Sequence, residues 1–301
     1  MSVPSSQECG FRVRVIFDRS AFHGERFDAL FRSPLRQRIA QGRIEVYHTP
    51  IFIQETLETW GSPRATDAWR AHLEFAADIC NGGMFLSRDD IFRGEFFGQP
   101  RRLLPAKPTK TLPCISVVLA KMREVALSGD LATEWLDSKA ELEDTRLKKT
   151  GQRALFSRVR REAMSTHKTR RVTRPRQKYS YAQYSQAELT RNGRDLMILV
   201  DERRANELAD RWEARPEAFP FYTAFVEGFL YSQYYAEIEV NRPLDKNAQA
   251  DYEQLAYLVW ADLFVSNEGG FLESAFNALW KPKGKRLESA EGFSALLSAS
   301  M

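Results

Sequence analysis

Cysteine and histidine are scarce in this chain. Its 301 residues hold three cysteines, Cys9, Cys80 and Cys114, and four histidines, His23, His48, His72 and His167. The cysteines are odd in number, far apart and outside any CxxC spacing, which argues against a disulfide framework and a thiolate zinc site and leaves them as small buried hydrophobes. The histidines form no HxH or HxxxH pair, so a histidine-rich metal centre is not expected and any metal would have to sit on oxygen. No apolar run approaches the roughly 20 residues that span a bilayer, and no basic leader precedes an apolar stretch. The expectation is a soluble, cytoplasmic protein with no membrane partner. Asp18-Arg19-Ser20 also lacks the second acid of a DxD phosphoacceptor motif, which disfavours a phosphatase.

What the chain does have is apolar mass and a grammar of alternating strands and helices. Hydrophobic residues make up 43% and there are six Trp, enough for a sizeable core. The run "FRVRVIFDRSAF" (11–22) reads as a β-strand ending at Asp18, followed by a helix that Gly42 stops. "RIEVYHTP" (43–50) reads as a second strand, parallel to the first through a right-handed crossover. Thr49 and Pro50 then form an N-cap and first-turn proline for "PIFIQETLETW". Near the other end, "NAQADYEQLAYLVWA" predicts a helix, "DLFVSN" a strand, and Gly269-Gly270 a turn into the helix "FLESAFNALW". About 190 residues separate the two portions, more than one crossover needs. The expected organisation is an α/β core over 11–61 and 245–281, a large, mainly helical insertion over 62–244, and a C-terminal tail over 282–301. Within the insertion, 112–129, 193–214 and 220–240 each predict a helix.

Four acids punctuate this grammar. Asp18 ends the first strand, Glu55 lies in the helix after the second, Asp251 opens the helix feeding the last strand, and Glu268 follows that strand. In an open parallel α/β sheet, ligands gather where the strands' carboxyl ends meet the loops. Four carboxylates brought to one such edge repel one another unless a divalent cation neutralises them, and Mg²⁺ or Mn²⁺ suits carboxylate and water oxygens. Each acid also has a plainer reading: Asp18 as a helix cap, Glu55 as a solvated helix acid, Asp251 as an acid favoured by the helix dipole, Glu268 as a turn residue. Ser266 and Asn267 either orient a ligand or cap the next helix. Asp262 is expected at a strand start, and Asp89-Asp90 in a loop.

These residues resemble the PIN-domain nucleases. "VIFDRSAF" with Asp18 and Ser20, "VYHTPIFIQE" with Glu55, and "DYEQLAYLVWADLFVSNEGGF" with Asp251, Ser266, Asn267 and Glu268 match that family's successive motifs. Glu268 stands where the family usually carries Asp. The resemblance implies a three-layer α/β/α sandwich around a mostly parallel sheet. It further implies a metal-dependent nuclease in which Asp18, Asp251 and Glu268 hold Mg²⁺ or Mn²⁺, Glu55 adds a catalytic carboxylate, Ser20, Ser266 and Asn267 support them, and RNA is the substrate rather than DNA.

Charge is distributed unevenly. Residues 146–178 carry 13 Lys or Arg against a single acid, Glu162, for a local +12, which leaves −8 for the rest of a chain whose total is +4. The segment predicts a short amphipathic helix and then an Arg-rich tail up to Pro175. Arg158, Arg160, Arg161, Arg170, Arg171 and Arg174 are candidate phosphate contacts, and Tyr179, Tyr181 and Tyr184 just beyond are candidate base-stacking rings. The alternative for the whole chain is a PIN-like nucleic-acid-binding protein of weakened catalysis that acts through this segment.

Overall fold

A computed structural model describes residues 12–58, 68–98, 101–129, 180–236 and 248–299. Five strands form the sheet: β1 (Val13–Phe17), β2 (Ile44–His48), β3 (Gly83–Met84), β4 (Leu263–Val265) and β5 (Arg286–Glu288). Their order is β3-β2-β1-β4-β5, and every pairing is parallel. The central strands β1 and β4 bury apolar side chains on both faces, as a sheet covered on both sides requires. Val15, Phe17, Val46, Leu263 and Val265 enter one core, while Ile16 and Phe264 enter the other.

Helices cover each face. On the Val15 side lie α1 (Glu25–Arg32), α2 (Leu35–Ala40), α3 (Pro50–Glu58), α4 (Ala68–Ile79), α6 (Ile115–Ser128) and α12 (Ala290–Ala299). Opposite them are α5 (Arg88–Phe97), α7 (Tyr181–Leu196), α8 (Ala205–Ala214), α9 (Pro220–Tyr234), α10 (Ala248–Ala256) and α11 (Phe271–Leu279). Local chemistry sets several boundaries. Thr49 Oγ1 accepts the Phe52 amide at 3.1 Å ahead of Pro50 and starts α3 as expected. Gly270, at a φ of 64°, makes the turn into α11 in a region closed to most side chains. Asp262 sits at the strand start: Arg14 Nε and Nη2 reach its two oxygens at 3.0 and 2.7 Å and pin the β1–β4 register.

The sheet extends beyond the bounds drawn from sequence. The 62–244 stretch supplies β3 as well as α4 on the sheet's face, and 282–301 supplies β5 and α12 instead of a tail. β3 has only two residues and β5, Arg-Leu-Glu, has a single apolar one, so neither shows a strand pattern. The helix expected across 193–214 is broken. α7 ends at Leu196, a 3-10 turn covers Met197–Leu199, and Asp201 Oδ1 accepts the amides of Arg203 (2.9 Å) and Arg204 (3.2 Å) before α8 begins. Asp89 and Asp90 occupy the first turn of α5 rather than a loop, behind the Ser87 cap, where the helix dipole favours acids.

Candidate metal centre

The strand order defines one crevice. From β1 the chain steps outward to β2 and β3, then returns to lay β4 on the other side of β1. Connections therefore diverge at the carboxyl ends of β1 and β4, the switch point at which open α/β sheets collect ligands. Asp18 follows β1 directly and Ser266 follows β4 directly. The Asp18 amide continues the ladder by donating to Val265 O at 2.9 Å.

A closed network fixes the Asp18 carboxylate, which is only 4% exposed. Oδ2 accepts the Ser20 amide (3.1 Å), the Ser20 hydroxyl and the Ser266 hydroxyl (2.9 Å). Ser20 Oγ in turn accepts the Asn267 amide at 2.9 Å, and Ser266 Oγ accepts the Glu268 amide at 3.1 Å. Asn267 ties the loops together, donating from Nδ2 to Ser20 O (3.3 Å) and accepting the Ala290 amide on Oδ1 (3.1 Å). The three supporting residues expected from sequence thus serve one oxygen of one carboxylate. Oδ1 accepts no hydrogen bond from the described residues. Asp18 also caps the 3-10 turn Arg19–Phe22, so its plainer reading as a cap and its place in the crevice hold together.

The other acids are carried by elements on both faces of the sheet. Gln254 of α10 donates its Nε2 to Phe17 O at 3.1 Å, the carbonyl immediately before Asp18. Asp251, half-buried, lies three residues earlier on the same helix and so on the same side, one turn nearer the helix start. Glu55 is half-buried on α3, across the sheet from α10, and Glu268 is exposed. Among the described residues, no three His, Cys, Asp or Glu side chains stand together as a ready-made metal cluster. The donor set fits a hard cation that keeps much of its water, since Mg²⁺ is commonly held by one or two carboxylates and completes its octahedron with solvent. Asp18 Oδ1 is the oxygen suited to that role.

Sequence reading passed over Arg19. It is 7% exposed, although it lies between two site residues, and burial draws its guanidinium pKa down against the opposing charges of Glu55 and Asp18. The only signal was position: a cation flanked by Asp18 and Ser20 reads as a solvated charge. Burial and Arg19 together push the His23 imidazole down, with Asp18 opposing. Cys80 and Cys114 are buried and free, and burial pushes the Cys80 thiol up to about 12.

The six candidate phosphate-binding arginines and Tyr179 lie outside the described residues. Tyr181 and Tyr184 are not the open stacking rings expected. Tyr181 packs edge-on against Tyr231 and Tyr234 and donates to Glu227 O at 3.1 Å, and Tyr184 lies against Tyr234. A capping box at Ser180 and Gln183 starts α7 here and turns both rings onto α9. Comparison with protein-family models, with curated proteins and with solved structures finds no match to this chain.

Proposed function

We propose that this chain is a PIN-like, Mg²⁺- or Mn²⁺-dependent endonuclease that hydrolyses phosphodiester bonds, in RNA rather than DNA. The observation that carries the reading is the Asp18 carboxylate. It lies at the switch point with Oδ2 clamped by Ser20 and Ser266, and with Oδ1 taken by no described donor. A side chain held this way is pre-organised as a ligand, because its rotamer is fixed before anything binds. Asp18, Asp251 and Glu268 would hold the cation. Once bound, it would supply Lewis acidity toward phosphoryl oxygens and activate water. Ser20, Ser266 and Asn267 keep Asp18 in place, and Glu55 contributes a carboxylate from the α3 side to orient water or receive a proton.

The test is cleavage of labelled single-stranded and duplex RNA and DNA with Mn²⁺ or Mg²⁺, with and without EDTA. Asp18→Asn should abolish metal-dependent cleavage and also remove the rise in melting temperature that millimolar Mn²⁺ gives the wild type, since a ligand that binds only the folded state stabilises it by mass action. Full activity in Asp18→Asn refutes the reading. Glu268 is exposed and one methylene longer than the family's Asp, which favours a second reading. In it the chain binds nucleic acid through its Arg-rich segment with weakened catalysis. A melting temperature indifferent to Mn²⁺ would select that reading.

A further inference from the structure

The turn after Asp18 buries a cation that the carboxylate network does not use. Arg19 Nη1 donates to Phe22 O at 3.2 Å, Nε is buried without any acceptor, and Nη2 meets no acceptor among the described residues. No carboxylate of the described residues comes within ion-pair distance of the guanidinium, although Glu55 and Asp18 are the attractive charges nearest to it. Burial of a charge without a partner is costly, and a lysine or histidine in this position would relieve the cost by losing its proton. Arginine does not deprotonate in proteins, so only an acceptor can satisfy it. Asp18 Oδ2 is already engaged by three donors, so the described residues leave the guanidinium short of an acceptor.

The surroundings define the chemistry of that visitor. The Arg19 turn ends at Phe22, whose ring lies edge-on to His72 at 6.2 Å, and Phe27 packs on the same imidazole at 4.3 Å. His72 Nδ1 is a second buried polar atom without a partner. Its imidazole is held neutral, with a pKa pushed down to about 4 by burial, then by Arg19 and His23. Two polar side chains on this side of Asp18 thus have a buried nitrogen without a partner, and a guanidinium short of acceptors matches the oxygens of a phosphate.

We propose that Arg19 is the phosphate-binding residue of this site, taking the non-bridging oxygens of a phosphodiester through the donors that the described residues leave without an acceptor. The proposal rests on the nuclease reading for its substrate class. It assigns binding of the diester to Arg19 and coordination of the cation to the acids.

The experiment measures melting of the full chain in EDTA with inorganic phosphate or with the dinucleotide UpU, for wild type, Arg19→Gln and Arg19→Met. Both ligands should stabilise the wild type. Both variants should lose that shift and bind UpU roughly ten- to a hundredfold more weakly, the loss expected for a charge-assisted hydrogen-bonded pair. Without ligand the variants should melt at or above the wild type, because an unpaired buried charge has been removed. Arg19→Met keeps the comparison usable if the glutamine amide itself unfolds the chain. Equal shifts in wild type and both variants, or no shift in the wild type, overturns the assignment. Response to inorganic phosphate without response to UpU overturns the diester. The Mn²⁺ shift and its loss in Asp18→Asn are read separately, so an intact Arg19-dependent UpU shift beside an absent Mn²⁺ shift would refute the metal reading alone.

Discussion

His48, His72 and Glu95 are buried ionisable side chains that pull stability in opposite directions with pH. His48 is fully buried at the end of β2, shares a 2.7 Å hydrogen bond with Ala76 O through Nε2, and has no partner on Nδ1. Burial pushes its pKa down to about 4, and the same holds for His72. The unfolded imidazoles take up protons from about 6.5 downward while the folded ones resist, so stability is full above that pH and falls as pH drops toward 4. His48 alone should withdraw about 3 kcal/mol over that window. Glu95 works the other way. Its oxygens accept the Phe221 and Tyr222 amides at 2.9 and 3.0 Å, yet burial outweighs those bonds and raises its pKa to about 7. Its folded state holds the proton more tightly, so its contribution is present below 4.5 and is lost as pH rises through 7. Urea unfolding from about pH 4 to 8 should therefore show stability rising from acid pH to a plateau at neutrality, the two imidazoles outweighing one carboxyl on the acid side. Glu95→Gln removes the opposing carboxyl and should steepen the acid limb between about 4.5 and 7. A curve that climbs steadily toward acid pH would contradict this assignment.

At the scale of elements, the tightest constraint lies where α7 meets its neighbours. Gly193 is buried in mid-helix, its carbonyl accepts the Tyr222 hydroxyl at 2.5 Å, and a Cβ there would fall inside the Trp212 ring. Trp212 is itself pinned by a 3.0 Å bond from Nε1 to Thr223 Oγ1, so it has no free direction in which to yield. Gly193→Ala should gain helix propensity but lose more to overpacking, for a net loss of about 1–3 kcal/mol in denaturant unfolding. A stabilised variant would show that α7 and α8 adjust independently. Close approaches of this kind mark where sequence reading ran out. β1, β2 and β4 were legible because Val13 to Phe17, Ile44 to His48 and Leu263 to Val265 each make a compact β-rich run, and the Thr49-Pro50 start of α3 followed from local chemistry. β3 and β5 were not, since Gly83-Met84 and Arg286–Glu288 become strands only by pairing with neighbours already in place. Asp18 with Ser20, Ser266 and Asn267 could be placed because strand ends carry side chains to a known edge. Arg19 could not, because its burial depends on Phe22 and on helices from distant segments.

For the whole molecule, the balance of charge is the feature that geometry leaves to solution measurement. A local +12 over 146–178 against −8 elsewhere concentrates the attraction for polyanions in one stretch, while Asp18 at the β1–β4 crevice lies in the negative remainder. With Arg19 alone to offset nearby acids, the crevice would hold a phosphodiester weakly until its cation binds, so a basic segment tethered to the same chain would raise the local substrate concentration. If Arg158, Arg160, Arg161, Arg170, Arg171 and Arg174 contact phosphates, changing all six to Gln should reduce the counterions released on binding. The slope of log affinity against log salt should then flatten by about 0.7 to 0.9 for each phosphate that is no longer neutralised. Turnover at saturating RNA should stay close to wild type, because these interactions are as strong in the ground state as in the transition state. Arg19→Gln should instead raise KM through one phosphate and remove at most that one phosphate's share of the salt dependence. If the six-residue variant keeps its salt slope, nucleic acid is held by another surface and the basic segment is a solvated charge run or a docking arm for an acidic protein.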